Sequence, residues 1–427
     1  MFTTSAAGSA LSRIRAARRG TLVAAAAVVA LAVILRVIWP ADMEYKGDEA
    51  FLYLHATGPH PFPWVGQSSG VGTSNPGMGI WVYSVMAQGL GLNTPVQLVR
   101  GVMALNVIAL GALALFALNV VPRRQREAWL WATALIAVNP LAVLFSRKIW
   151  IQSALPPFLL AALFGWWRRG QRAGAFAWGV IGAWLGQIHM TGFFFAGGLA
   201  AWTALYDRRS TRWRWWLGGS LLGALTLVPW LVHVVTHEGG PMRSLANSVQ
   251  PRILGLWVTY PLSLNLFDSF GSDSWRLLAW PTVGGTSLYL VAATFAVIVG
   301  AGIAIAVRAF AVTIWPRRTR SQRPLGGSGS DTAIVIKGAL WGYGLLITVS
   351  GVAIYRHYMI VTFALPFVAL AVAALLRPRG RRLLAVLVVA EAALSVQYLT
   401  YIHARGGAPG GDYGVAYDAH HSNHRPP

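Results

Sequence analysis

The chain has no cysteine, which excludes disulfides and thiolate chemistry and leaves no redox compartment to read. Acidic residues are nearly as scarce: 13 Asp and Glu among 427 residues, against 35 Lys and Arg, for a net charge of +22. Lysine is rare as well, three against 32 arginines, a bias that with abundant alanine suggests a GC-rich bacterial genome. Charged residues make up 11% of the chain, where a soluble domain carries about a quarter, so an ordinary soluble enzyme is excluded. No glycine-rich nucleotide fingerprint occurs, and no segments of about ten residues alternate in polarity as barrel strands would. The basic excess does not describe a nucleic-acid surface, because Lys and Arg sit in short clusters between apolar runs rather than along one face.

What the chain does have is hydrophobicity: 56% apolar residues, 20 Trp and a mean hydropathy of +0.54. Apolar runs close to the ~20 residues that cross a bilayer recur throughout. The expected fold class is an all-α polytopic membrane protein with eleven spans, near 21–40, 96–120, 127–146, 152–167, 174–190, 191–206, 215–235, 282–307, 338–355, 357–376 and 383–402. Residues 1–20 read as a cytoplasmic basic tail, 21–402 as the transmembrane domain, and 403–427, with its Gly-Gly pairs and histidines, as a disordered extracytoplasmic tail. The first run is long and lacks a small-x-small cleavage site, so it is taken as a retained span rather than a signal peptide.

The distribution of basic residues sets the orientation. With the N-terminus inside, the tail and segments 122–126, 168–172, 207–214, 308–337 and 377–382 are cytoplasmic and hold 24 of the 35 Lys and Arg. The same topology puts nine of the 13 carboxylates, and all ten histidines, outside or at outer span ends. Chemistry is therefore expected on the extracytoplasmic face of a bacterial inner membrane. Two outer loops are long, 41–95 and 236–281. In each, a short apolar stretch (78–92, and 253–267 with Pro261 inside it) is expected to lie along the interface.

The first loop opens with Tyr45-Lys46-Gly47-Asp48-Glu49, which holds the only adjacent carboxylates in the chain. On a helix, a step of seven sets Asp48 and His55 on one face. A carboxylate at the outer edge can take a proton from an attacking hydroxyl, or stabilise positive charge on an anomeric carbon; a plain polar loop would carry the same letters without chemistry. Ser146-Arg147-Lys148 puts two cations at an outer span end, either snorkelling to lipid headgroups or clamping a lipid-linked phosphate. Tyr355-Arg356-His357-Tyr358 offers a third outward cation, with interfacial anchoring as the alternative. His189, in a tight outer turn, reads first as a structural histidine and second as a substrate contact. His233 and His237 have metal-binding spacing beside Glu238, but no third ligand is fixed, and no metal site is assigned. No cofactor is assigned either, although the first-loop carboxylates could hold a divalent cation. Arg36, Arg100 and Glu391 lie in or beside spans, where charges are usually paired and tie helices together.

An Asp-Glu helix directly after the first span, followed by a Pro-bearing turn and a half-span, resembles the GT-C-fold glycosyltransferases. Within them it looks most like the family 39-type group, which includes the protein O-mannosyltransferases and the lipid A aminoarabinose transferase. The likeness is carried by Asp48-Glu49-Ala50, Asn75-Pro76-Gly77, Ser146-Arg147-Lys148, and Arg356-His357-Tyr358 with Leu365-Pro366, and it covers roughly residues 20–400. It implies a GT-C-like bundle with juxtamembrane helices in the first loop, a polyprenyl-phosphate-sugar donor, and inverting transfer to a glycan, lipid or protein hydroxyl. It also implies Asp48 as base with Glu49 beside it, and Arg147, Lys148 and Arg356 on the donor phosphate. His55, His189, His357 and Tyr358 would surround the substrate. The chain departs from some relatives in having no second acidic residue just before Asn75-Pro76. Two other classes fit the spans: a flippase for a lipid-linked sugar, which would carry broken helices and charges near the midplane, and a non-catalytic scaffold.

Overall fold

The computed structural model describes residues 23, 25–59, 62–68, 73–237, 252–314, 331–350, 352 and 354–421. The basic tail 1–20, Glu238 and His424 lie outside them. The principal helices are α1 (Ala25–Val37), α2 (Gly47–Thr57), α3 (Met78–Ser84), α4 (Pro95–Asn119), α5 (Arg123–Val138), α6 (Pro140–Phe145), α7 (Leu155–Trp167), α8 (Arg172–Ile188), α9 (Thr191–Tyr206), α10 (Trp213–His237), α11 (Arg252–Thr259), α12 (Leu290–Ile314), α13 (Asp331–Val349), α14 (Leu365–Leu375) and α15 (Gly380–Arg405). Among the described residues, sheet is limited to three two-stranded antiparallel hairpins.

This is a mostly helical membrane protein. Each of the eleven expected runs is helical over all or part of its length. By length and composition, however, four described helices can cross a membrane (α4, α10, α13 and α15), or five if the 3-10 turn Arg356–Thr362 and α14, bent by 79°, form one span. Of the others, α1, α7 and the Leu290–Ile305 part of α12 are shorter apolar helices. The 17 residues of α8 and 16 of α9 rise only about 24–26 Å. The stretch near 253–267 forms α11 and a 3-10 turn, Tyr260–Leu262, about 16 Å of helix in all, too short to span. In the first loop, α2 and α3 flank a hairpin of β1 (Val65–Ser68) and β2 (Ser74–Pro76).

The break between α5 and α6 shows how the buried charges are used. Pro140 has no N–H, so the Ile136 carbonyl loses its intrahelical donor, and no water is at hand in a bilayer to replace it. Arg36, buried on the C-terminal side of α1, donates to Ile136 O at 2.9 Å and to Ala137 O at 2.7 Å. From α15, Ser395 donates to Val138 O at 2.6 Å, while the Asn139 amide donates to Glu391 at 3.1 Å and its oxygen caps Ala142 N. Arg36 and Glu391 thus join α1, α5 and α15 at the break, as their place in the spans suggested.

Small residues let other helices touch. A Cβ on Gly198 of α9 would lie 2.3 Å from the Gly342 carbonyl carbon of α13, so these backbones are in direct contact.

Polar contacts at the helix ends sort by expected side. Arg169 reaches both Asp207 and Asp331, so segments 168–172, 207–214 and 308–337 meet at one point; Arg381 pairs with Glu127 nearby in sequence to 122–126. On the opposite set of loops, Lys148 pairs with Glu44, Arg356 with Asp268 and Asp412, and His403 with Asp42. Among the described residues no ion pair mixes the two sets.

The expected disordered tail is instead folded as far as His421. Gly406 takes the left-handed conformation (φ 67°) that ends α15, and Gly407–Ala408 pairs with Gly414–Val415. Tyr417 N donates to Met43 O at 2.9 Å, and the Tyr413 hydroxyl donates to Asp42 O. Glycine here serves close packing rather than looseness: a Cβ on Gly411 would sit 2.3 Å from the Phe270 carbonyl carbon. The segment therefore clasps the start of the first loop to the second.

Candidate active site

The first turn of α2 sets the two carboxylates in different environments. Glu49, the third residue of the helix, accepts from Lys46 N at 3.0 Å and so caps its start. Its other oxygen lies 3.3 Å from the Lys148 ammonium, which also contacts Glu44 at 2.6 Å. All three side chains are less than 10% exposed. Burial alone would lower the Lys148 pKa, but the two carboxylates outweigh it and hold the ammonium above its ordinary value. Burial pushes Glu49 up, opposed by Lys148 and reinforced by Glu44.

Asp48, one residue earlier, is exposed. Gln67 of β1 donates to its Oδ1 at 2.6 Å, and the Trp150 indole N–H donates to Oδ2 at 3.1 Å. Both donors are neutral, and among the described residues no ion pair includes this carboxylate. Trp150 in turn lies over the Lys148 ammonium, 4.2 Å from ring centre to Nζ, and meets the His357 ring edge-on at 4.6 Å. Its carbonyl accepts from the Tyr83 hydroxyl of α3.

His357 packs on Tyr358 at 4.8 Å, and Tyr358 on His189 at 5.6 Å. The Gln152 amide lies 2.9 Å from His189 Nε2, and the Thr191 hydroxyl 2.6 Å from Nδ1. Thr191 N also donates to Nδ1, at 3.4 Å, so a neutral ring carries its proton on Nε2 and the Gln152 amide is assigned with its oxygen toward it. His189 is then a neutral hub at the α8–α9 turn.

Asp48, Glu49, Lys148, His357, Tyr358 and His189 thus form one connected set through Trp150. Three other candidates are placed differently. Arg147 is 4% exposed and donates to the carbonyls of Leu35 and Arg36, at the unsatisfied end of α1, and of Trp39 just beyond it. His55 lies about 10 Å farther along α2 than Asp48, stacked on Phe51 with Nδ1 2.8 Å from its carbonyl. Arg356 turns away from His357, toward Ser269 at 2.8 Å, Asp412 at 3.1 Å and Asp268 at 3.4 Å; both carboxylates are largely exposed.

Sequence reasoning did not single out Gln67, Glu44 or Trp150. Trp150 follows Ser146-Arg147-Lys148 by two residues, but a lone Trp in a chain with 20 gives no signal. His233 and His237 stack on exposed α10, and among the described residues no three His, Asp or Glu side chains group as metal ligands would. A cavity lined by Arg36, Asn106, Phe145, Ser146, Phe363 and Phe367 lies beneath the set, and Phe145 also stacks against Trp150 at 5.9 Å.

No family model matches the chain, and no curated protein sequence matches it. Among solved structures, it is similar to the archaeal oligosaccharyltransferase AglB from Archaeoglobus fulgidus, in complex with an inhibitory peptide and a dolichol-phosphate, at 14% identity and a TM-score of 0.41. The match covers 89% of this chain and 55% of that one, so the chain spans about half the length of that protein. A likeness of this size carries no functional weight.

Proposed function

We propose that the chain is a membrane glycosyltransferase that moves a sugar from a polyprenyl-phosphate carrier to an acceptor hydroxyl at the outer interface, within a GT-C-like bundle of eleven spans. The observation that carries the reading is the contrast between the two adjacent carboxylates. Glu49 is buried and neutralised by Lys148, whereas Asp48 is exposed and held by neutral N–H donors on both oxygens. An exposed, oriented carboxylate has lone pairs to spare and suits a general base.

In the proposed step the acceptor oxygen bonds to the anomeric carbon as its proton passes to Asp48. The carbon–oxygen bond to phosphate breaks on the opposite face, inverting the centre and releasing polyprenyl phosphate. Of the three cations, Arg356 best suits the phosphate, because its partners Asp268 and Asp412 are surface carboxylates that an anionic headgroup can replace. Lys148 and Arg147 act instead by building the mouth, and His357 and Tyr358 border the sugar.

The test is turnover of polyprenyl-phosphate sugars (mannosyl, glucosyl and arabinosyl lipids) by the protein in nanodiscs. Asp48→Asn is expected to stay folded and lose transfer, and full activity in that variant refutes the assignment. The flippase reading draws on the broken helices at Asn139-Pro140 and at the 79° bend. It predicts leaflet exchange of the labelled lipid in vesicles with no glycosylated product.

A further inference from the structure

Resting on Asp48 as base, we infer that Trp150 and Gln67 are positioning residues that fix the plane of its carboxylate, one oxygen each. An exposed Asp in the first turn of a helix would otherwise rotate freely, and a base must present a lone pair along the line of proton transfer. The two donors reach it from independent supports. Gln67 lies on β1, where its own carbonyl accepts from Asn75 Nδ2 at 2.9 Å across the hairpin. Trp150 is held by the Tyr83 hydroxyl on its carbonyl, by the Lys148 ammonium under its ring and by the His357 ring at its edge. The buried Glu44–Lys148–Glu49 group thus also reaches Asp48 through the indole.

Each N–H satisfies one lone pair of one oxygen and leaves the other lone pair for the incoming hydroxyl. Because both donors are neutral, they orient the carboxylate without the ion pairing that engages Glu49. Removing either one frees the carboxylate to rotate, and its aim at the acceptor is lost.

The experiment compares wild type, Trp150→Phe, Gln67→Leu and Asp48→Asn in nanodiscs, using whichever of the three lipid sugars the wild type turns over. For both Trp150→Phe and Gln67→Leu, kcat is expected to fall on the order of tenfold with donor KM unchanged. A fall in kcat matched by a rise in donor KM, or an unchanged kcat, overturns the inference. If Trp150→Phe fails to elute as a folded species, Gln67→Leu, on a half-buried strand, gives the same reading alone. An inactive Asp48→Asn beside an unaffected Trp150→Phe and Gln67→Leu sinks this inference only; an active Asp48→Asn sinks the base assignment beneath it.

Discussion

Lys148→Met tests whether this cation is a structural element of the mouth. At an effective dielectric of 20, its contact with Glu44 at 2.6 Å is worth about 6 kcal/mol and that with Glu49 at 3.3 Å about 5 kcal/mol. Desolvation costs several kcal/mol per ion and cancels much of this, so the intact group adds little net stability. Breaking it is different. The methionine leaves Glu44 with Lys46, 3.0 Å away, but leaves Glu49 buried with no cation, and the expected loss is about 3–5 kcal/mol.

The pH dependence supplies the sign. Glu49 already has a raised pKa in the folded protein, so the native state holds its proton more tightly than the unfolded chain, and acidification through that value stabilises. Removing Lys148 takes away the chief influence lowering it, so the variant should regain stability relative to wild type as pH falls through its further raised Glu49 value. Lys148 itself is raised, so its contribution in the wild type is complete below the ordinary 10.5 and is lost only as pH climbs through the higher folded value. Thermal unfolding in detergent, followed by tryptophan fluorescence at several pH values, reads both effects. Lys148→Met with Glu49→Gln should recover most of the loss, since Gln keeps the cap on Lys46 N without a buried charge. A single variant as stable as wild type at neutral pH, or one that weakens further on acidification, refutes the reasoning.

Arg356→Ala should raise the donor KM on the order of tenfold, and Arg356→Lys should restore only part, because a point charge does not replace the planar fork. Asp412→Asn should lower that KM by removing the carboxylate that competes for Arg356, and an unchanged KM would count against a phosphate there. Gly198→Ala should destabilise the protein in a thermal assay, since its Cβ meets the Gly342 backbone, whereas Gly218→Ala, with open space around it, should gain up to about 1 kcal/mol of helix propensity. Equal behaviour of the two glycine variants would show that the α9–α13 contact does not govern packing.

Much of the fold was legible because a bilayer leaves few options: long apolar runs become helices, and basic clusters mark one side. Arg169 meeting Asp207 and Asp331 agrees with the grouping of three segments that were assigned to one side from arginine counts alone. Hydropathy does not register where a helix breaks inside an apolar run. The interruption at Asn139-Pro140 depends on Arg36 and Ser395, about 100 and 257 residues away in sequence, being present to satisfy its carbonyls. The C-terminal clasp was missed for a related reason: glycine-rich composition signals freedom unless the surface it presses against is known.

The acidic stretch was legible as a unit, but the division of labour inside it was not. Asp48 and Glu49 are neighbours on one helical turn, and a 100° step between them sends one to solvent and the other onto Lys148. The basic stretch splits the same way. Arg147 faces the end of α1, where the Leu35 and Arg36 carbonyls lack an intrahelical donor, and its guanidinium, with five N–H groups, also reaches the Trp39 carbonyl just beyond. Lys148, with three donors and no fork, goes to the carboxylates. A reading that assigns every outward cation to an anionic substrate overlooks this competition. In a chain with so few carboxylates, backbone carbonyls at helix ends are the more numerous acceptors, and they engage arginine first. What remains for a substrate phosphate is the cation whose present partners are weakest, and that criterion selects Arg356, held by two exposed carboxylates, over Arg147 and Lys148.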